Sequence, residues 1–199
     1  MKRYPYSAGA VKKSFWFLEF KKTISYLNEG LSFAEIKNKN KAENIFSASS
    51  EARGAEILTT IFSRVRDFDK SFITLFMTCS LNDQKLLCLI ACMCQDTFFF
   101  DFVYEIIREK YILGTKIYDE SDIRKFIINK QQQNEKVAGF TEAGLKRLMS
   151  TYKMYLAEAG ITNRAVGKRE IYQPIISEKI RLWLINNDLQ PILSALTGE

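Results

Sequence analysis

The chain has 199 residues, enough for one domain or two small ones, with 47% hydrophobic and 26% charged residues, an ordinary balance for a globular protein. Three prolines and nine glycines leave little room for long linkers, and the absence of histidine removes Ser-His-Asp, Cys-His and imidazole-metal chemistry. The formal net charge of +6 is concentrated at the ends: residues 1–41 carry nine lysines and arginines against three glutamates, the middle is slightly acidic, and the segment from 141 onward is basic again. Two basic ends around a near-neutral middle fit contact with a polyanion, and fit a solvated basic surface as well.

The N-terminal stretch MKRYPYSAGAVKK is polar and basic, with Tyr4-Pro5 resisting helix. Lys12, Lys13 and Glu19 interrupt what would have to be the apolar region of a secretory signal. A helix is predicted over residues 14–28, with Phe15, Leu18, Ile24 and Leu27 on its apolar stripe and Gly30 as its stop. Ser32 to Glu35 reads as a capping box opening a short helix. Ser50 caps the next, whose Ala55, Leu58, Ile61, Phe62 and Val65 follow helical spacing, and Asp69 or Ser71 starts another carrying Phe72, Leu75 and Phe76.

Residues 85–107, KLLCLIACMCQDTFFFDFVYEII, admit three readings: membrane span, metal site or buried core. A span needs roughly 20 mostly apolar residues. Here Asp96, Asp101 and Glu105 interrupt it at depths where carboxylates are costly. Cys88, Cys92 and Cys94 match none of the usual zinc spacings, and Cys79 is remote. Core is the reading that remains: two helices, or one bent near Asp96, with Asp96 as N-cap of the second. Cysteines in an apolar helix also suit a reducing cytoplasm.

Beyond Gly114, Asp119-Glu120-Ser121 opens a helix to about Gln133. Its carboxylates are read as helix-start residues facing the positive end of the dipole rather than as a cation site. Thr141 caps a long helix ending at Gly160, and two short helices close the chain over 177–186 and 189–196. Residues 164–176, RAVGKREIYQPII, carry the only strand signal, as a small hairpin or extended arm. The fold class is therefore all-α: a helical bundle of about eight to ten helices, with at most one β-hairpin or wing near 164–176. A division into 1–115 and 116–199 is expected, the second half having helix-turn-helix order followed by a wing.

No phosphate loop, metal set or catalytic constellation is present in the sequence, so neither enzyme activity, a small-molecule substrate nor a cofactor is expected. The binding candidates are Lys2, Arg3, Lys12 and Lys13 at the start and Lys146, Arg147, Lys153, Arg164, Lys168 and Arg169 at the end, placed to meet phosphates.

Several blocks carry a family resemblance. Tyr6-Ser-Ala-Gly9 with Phe15-Trp16 and paired lysines, Asn44-Ile-Phe46 before Ser50-Glu-Ala-Arg53, Asp101 to Lys110, and Leu156-Ala-Glu-Ala-Gly160 before Pro174-Ile-Ile-Ser177 together resemble the BrxA family of BREX phage-defence systems. The resemblance covers nearly the whole chain; Ala10 departs from it, where a larger aliphatic residue is expected. It implies an all-helical cytoplasmic protein with a fold like the antitermination factor NusB, binding double-stranded DNA and working with other BREX proteins. Members have been labelled inner-membrane proteins, which the carboxylates after Gln95 argue against. The alternatives are a protein-assembly subunit with incidental basic charge, and an RNA-binding protein.

Overall fold

Ser32, Ser50, Asp69, Asp96, Asp119 and Thr141 each stand one residue before a helix, and each side chain accepts hydrogen bonds from its free backbone amides. These caps fix most helix starts in the computed structural model, which describes residues 1–199. Ser32 and Glu35 form the expected reciprocal capping box, and Asp119 forms another with Asp122.

Residues 15–91 form one unit. Its helices are α1 (Phe17–Asn28), α2 (Phe33–Glu43), α3 (Glu51–Val65), α4 (Lys70–Met77) and most of α5 (Leu81–Gln95). Phe20 sits at the centre, with ring centroids 5.6 Å from Phe76 and 6.4 Å from Phe72. A satellite cluster of Ile36, Ile45 and Leu58 packs beneath Tyr26, Leu27, Leu31, Phe33 and Phe46. The first helix begins later than the sequence pattern predicts. Trp16 adopts a left-handed backbone (φ 52°, ψ 49°), costly for a bulky residue, and α1 starts after it. Its ring lies 4.9 Å from the Arg53 guanidinium and 5.9 Å from that of Arg64, while Arg64 Nη1 donates to the Phe15 carbonyl at 2.6 Å. The shifted start turns Phe17 and Phe20 inward and leaves Leu18, expected in the core, 75% exposed.

Residues 1–14 and 92–199 form the other unit. It differs from the expected division at 115, because the first residues and the helix after Asp96 share their contacts with the C-terminal elements. A short 3-10 turn, Gly9–Lys12, follows the extended start. Then come α6 (Thr97–Phe102), a turn of π-helix over Val103–Ile107, α7 (Arg108–Ile112), β1 (Ile117–Tyr118), α8 (Glu120–Gln133), α9 (Glu135–Ala138), α10 (Glu142–Glu158), β2 (Arg169–Glu170), α11 (Glu178–Asn186) and α12 (Gln190–Thr197). Phe98, Phe99, Phe102, Phe126 and Tyr152 form a buried aromatic core, with Phe99 and Tyr152 at 4.7 Å and Phe98 and Phe126 at 5.2 Å. The Tyr152 hydroxyl donates to Asp96 at 2.8 Å, so the N-cap of α6 is tied to the middle of α10.

The all-helical expectation holds, with one small antiparallel sheet. Its register pairs Ile117 with Glu170 and Tyr118 with Arg169, and an isolated bridge joins Thr162 to Ile171. The β element foreseen near 164–176 thus recruits residues 117–118, which are too short to announce themselves, and its pairing ends before Pro174. No single helix is long and apolar enough to cross a membrane; α5 and the helix over Thr97–Ile112 are a bent pair broken at Asp96. Cys88 and Cys92 are buried.

Candidate nucleic-acid interface

Helix α10 presents two faces. Leu145, Leu148, Met149, Tyr152, Tyr155 and Leu156 are buried, while Lys146, Arg147 and Ser150 are exposed. Lys146, Ser150 and Met154 recur every four residues and so line one stripe along the helix. On one side of this stripe lies residues 11–14, held against α10 by the Tyr155 hydroxyl, which donates to the Lys13 carbonyl at 3.0 Å. The hollow between them, about 630 Å³, is lined by Lys12, Lys13, Lys146 and Arg147 together with Ser14, Ser150, Thr151 and Met154. Toward the C-terminal end of α10, Ser150 and Met154 also border a hollow of about 280 Å³, shared with Lys153, Arg164 and Arg169. Neither hollow has a carboxylate in its wall. The two hollows share Ser150 and Met154, and the furrow they make along α10 gathers seven of the ten expected cations.

The opposite flank of α10 faces α8. There a groove of about 540 Å³ has Ile123, Ile127, Ile128, Leu145 and Met149 in its wall, and its charges are mixed: Arg124, Lys146 and Lys153 with Glu120 and Glu142. Lys153 Nζ is 2.8 Å from Glu120, so part of its charge is already compensated. Helix α9 occupies the turn between α8 and α10. Flanked by the 11–14 segment on one side and α8 on the other, α10 offers a charged furrow rather than a free cylinder. That geometry suits a line of phosphates better than full insertion in a major groove.

The three remaining candidates separate into two kinds. Lys168 is exposed in the loop ahead of β2. Lys2 lies elsewhere, its ammonium 4.7 Å from the Tyr4 ring centroid. Arg3 donates through Nη2 to both oxygens of Asp101, at 2.8 and 2.9 Å. Asp101 is buried and also accepts from the Tyr6 hydroxyl at 2.5 Å and from Lys130 Nζ at 2.9 Å; Lys130 in turn bonds to Glu105. Burial pulls the Arg3 guanidinium and the Lys130 ammonium down, but their carboxylate partners outweigh it and both stand above their ordinary values. Arg3 is thus a fastening of the N-terminal segment, not part of the furrow.

Sequence reasoning found the cations but missed the groups between them. Ser150 and Met154 border both hollows and Thr151 lines the larger one, and only the four-residue recurrence along α10 signalled the first two. Asn163 was also missed: its Oδ1 accepts from the amides of Ala165 and Glu170, at 3.2 and 3.3 Å, and so shapes the loop that carries Arg164. The acidic residues near 120 serve as local structure: Asp119 and Asp122 cap α8, and Asp122 pairs with Lys110 at 2.8 Å.

A family model for BrxA matches residues 4–188 of the chain. A relative described as BREX protein BrxA, from Bacillus cereus (strain H3081.97), is 32% identical over 177 residues, which are 89% of this chain and 88% of that protein. A crystal structure of an uncharacterized protein from Magnetospirillum magneticum superposes with a TM-score of 0.80, at 14% identity, over 98% of this chain and 99% of the other. At that identity the likeness concerns the fold.

Proposed function

The chain belongs to the BrxA family of BREX phage-defence systems, and from that premise we propose that it is a non-catalytic component that binds double-stranded DNA mainly through phosphate contacts. The observation that carries this reading is the furrow along α10. Lys12, Lys13, Lys146, Arg147, Arg164 and Arg169 line it without an intervening carboxylate. A row of cations at a concave surface displaces counterions from a nucleic-acid backbone, which supplies affinity without sequence readout. Serine and threonine hydroxyls between the cations add donors of the kind that fix a backbone in register. The lack of histidine in the sequence is in keeping with a binding role rather than acid-base catalysis. On this reading the protein works in the cytoplasm, alongside other BREX proteins.

A second reading, docking of another BREX protein, is favoured by one feature: the α8–α10 groove, whose wall includes half-exposed Ile128 among other apolar side chains. The two readings use neighbouring surfaces of α10 that share Lys146, Ser150 and Lys153, and they are separated by what binds. Titration of the purified protein against a non-specific duplex at low and physiological salt tests the first. Affinity should fall by orders of magnitude across that range, as expected when several phosphates are contacted. Absence of binding at low salt, with nuclease-resistant co-purification of other BREX proteins, would favour the second. Competition between duplex DNA and RNA distinguishes the polyanion.

A further inference from the structure

The segment between Thr162 and Ile171 is a short, closed loop with an unusual tip. Thr162 bridges Ile171, the Asn163 amide donates to the Glu170 carbonyl at 3.2 Å, and Arg169 Nη1 donates to the Asn163 carbonyl at 3.0 Å. With the Asn163 side chain bonded to Ala165 and Glu170, the loop is held across its base rather than left free. Gly167 takes φ 82°, the left-handed conformation that glycine tolerates, and this folds the tip back. At the apex stands Val166, 99% exposed, between exposed Arg164 and Lys168.

We infer that this loop is a minor-groove probe: Val166 seats in the minor groove of duplex DNA while Arg164 and Lys168 lie along its walls. The inference rests on the DNA-binding reading above and adds how the duplex is gripped. Single exposed apolar residues are common and mean little alone. Here the position is what argues. The base of the loop, through Arg164 and Arg169, is part of the α10 furrow, so a backbone lying in the furrow leads directly to the loop. The minor groove is about 6 Å wide, too narrow for a helix of about 10–12 Å diameter but open to a single turn of chain. Proteins that enter it commonly press an apolar side chain against the base steps and set Arg or Lys in the electronegative, narrow A·T stretches. An apolar apex between two cations on a fixed stalk has that composition.

The test compares full-length protein and Val166→Ser on two duplexes of equal length, one A·T-rich and one G·C-rich, over a range of salt. The parent should prefer the A·T-rich duplex several-fold and be displaced from it by netropsin, which fills the minor groove. Val166→Ser should bind the A·T-rich duplex several-fold more weakly than the parent yet keep the parent's salt slope, since valine meets no phosphate. The side chain is solvent-exposed, so folding is not at risk. Salt-dependent binding with equal affinity for both duplexes, no effect of the substitution and no displacement by netropsin would overturn the probe and leave the phosphate furrow standing. No binding of the parent to either duplex at low salt would overturn both.

Discussion

Asp101 accepts two hydrogen bonds from the Arg3 guanidinium, at 2.8 and 2.9 Å, across 98 residues of sequence. The same carboxylate holds Tyr6 and Lys130. The Tyr4 amide donates to Thr97 Oγ1 at 2.8 Å, and Tyr6 packs edge-on against Phe98 at 5.5 Å. The N-terminal segment is therefore fastened at its start, and its continuation reaches α10 with Lys12 and Lys13 in the furrow wall. The anchor touches no part of the furrow; the Tyr155 bond to the Lys13 carbonyl is the contact that holds the two lysines beside α10.

Asp101→Ala should be strongly destabilising. It leaves the Lys130 ammonium, whose side chain is 6% exposed, with Glu105 alone, and it strips the Tyr6 hydroxyl of its acceptor. Breaking a buried pair in this way costs about 3–5 kcal/mol. Arg3→Ala removes a partner whose side chain is half exposed, and solvent screening limits its cost to about 1 kcal/mol or less. Urea unfolding of the two variants reads the contrast; equal, small losses would show that the cluster is not the anchor described.

Acid stability should divide by the sign of the carboxylate shifts. The Ser121 hydroxyl and amide hold Asp119 below the usual carboxylate range. Its contribution is present above the unfolded pKa and is lost as pH falls through the lowered folded value. Asp96 is the opposite case: burial raises it, outweighing the bonds from Tyr152 and the amides of Phe99 and Phe98. A raised carboxyl contributes fully below its unfolded pKa, and that contribution is lost as pH rises through the folded value. Between acid and neutral pH, Asp119→Asn should make stability rise less steeply than in the parent, and Asp96→Asn more steeply. Chemical unfolding midpoints measured across that range decide it; matching pH slopes in both variants would contradict the assignment.

The shifted start of α1 predicts a mutational asymmetry. Phe20→Ala empties the middle of an aromatic cluster and should cost about 3–5 kcal/mol. Leu18→Lys, two residues earlier at a site 75% exposed, should change stability by about 0.5 kcal/mol or less. Thermal or urea unfolding checks both, and a large loss at Leu18 would restore the helix start at Ser14 that the pattern alone suggests.

Much of the fold is legible in the sequence because its punctuation is local. Ser32, Ser50, Asp69, Asp96, Asp119 and Thr141 announce their helices through short-range bonds that need no tertiary knowledge. Where tertiary contacts decide, local reading fails. Trp16 is pushed into a left-handed backbone between two arginines, and no residue within a turn of it signals that. The partner of β2 comes from residues 117–118, two positions with no strand period to detect. The candidate site divides in the same way. The cations were visible as a charge pattern, and their gathering in one furrow was not, because it depends on Tyr155 holding the Lys13 carbonyl across 142 residues. Arg3 looks like its neighbours in sequence and is set apart only by a buried carboxylate 98 positions away.

The central claim is that the furrow along α10 binds a duplex through phosphates, and the most direct measurement is the salt slope of DNA affinity in three proteins. In the parent, the logarithm of affinity should fall linearly with the logarithm of salt. A variant combining Lys12→Gln, Lys146→Gln, Arg147→Gln and Arg164→Gln should bind more weakly on any sequence, its slope reduced by about one for each phosphate contact removed. Arg3→Gln, which discards a cation outside the furrow, should leave the slope at the parent's value. A fourfold variant that keeps the parent's affinity and slope would contradict the account.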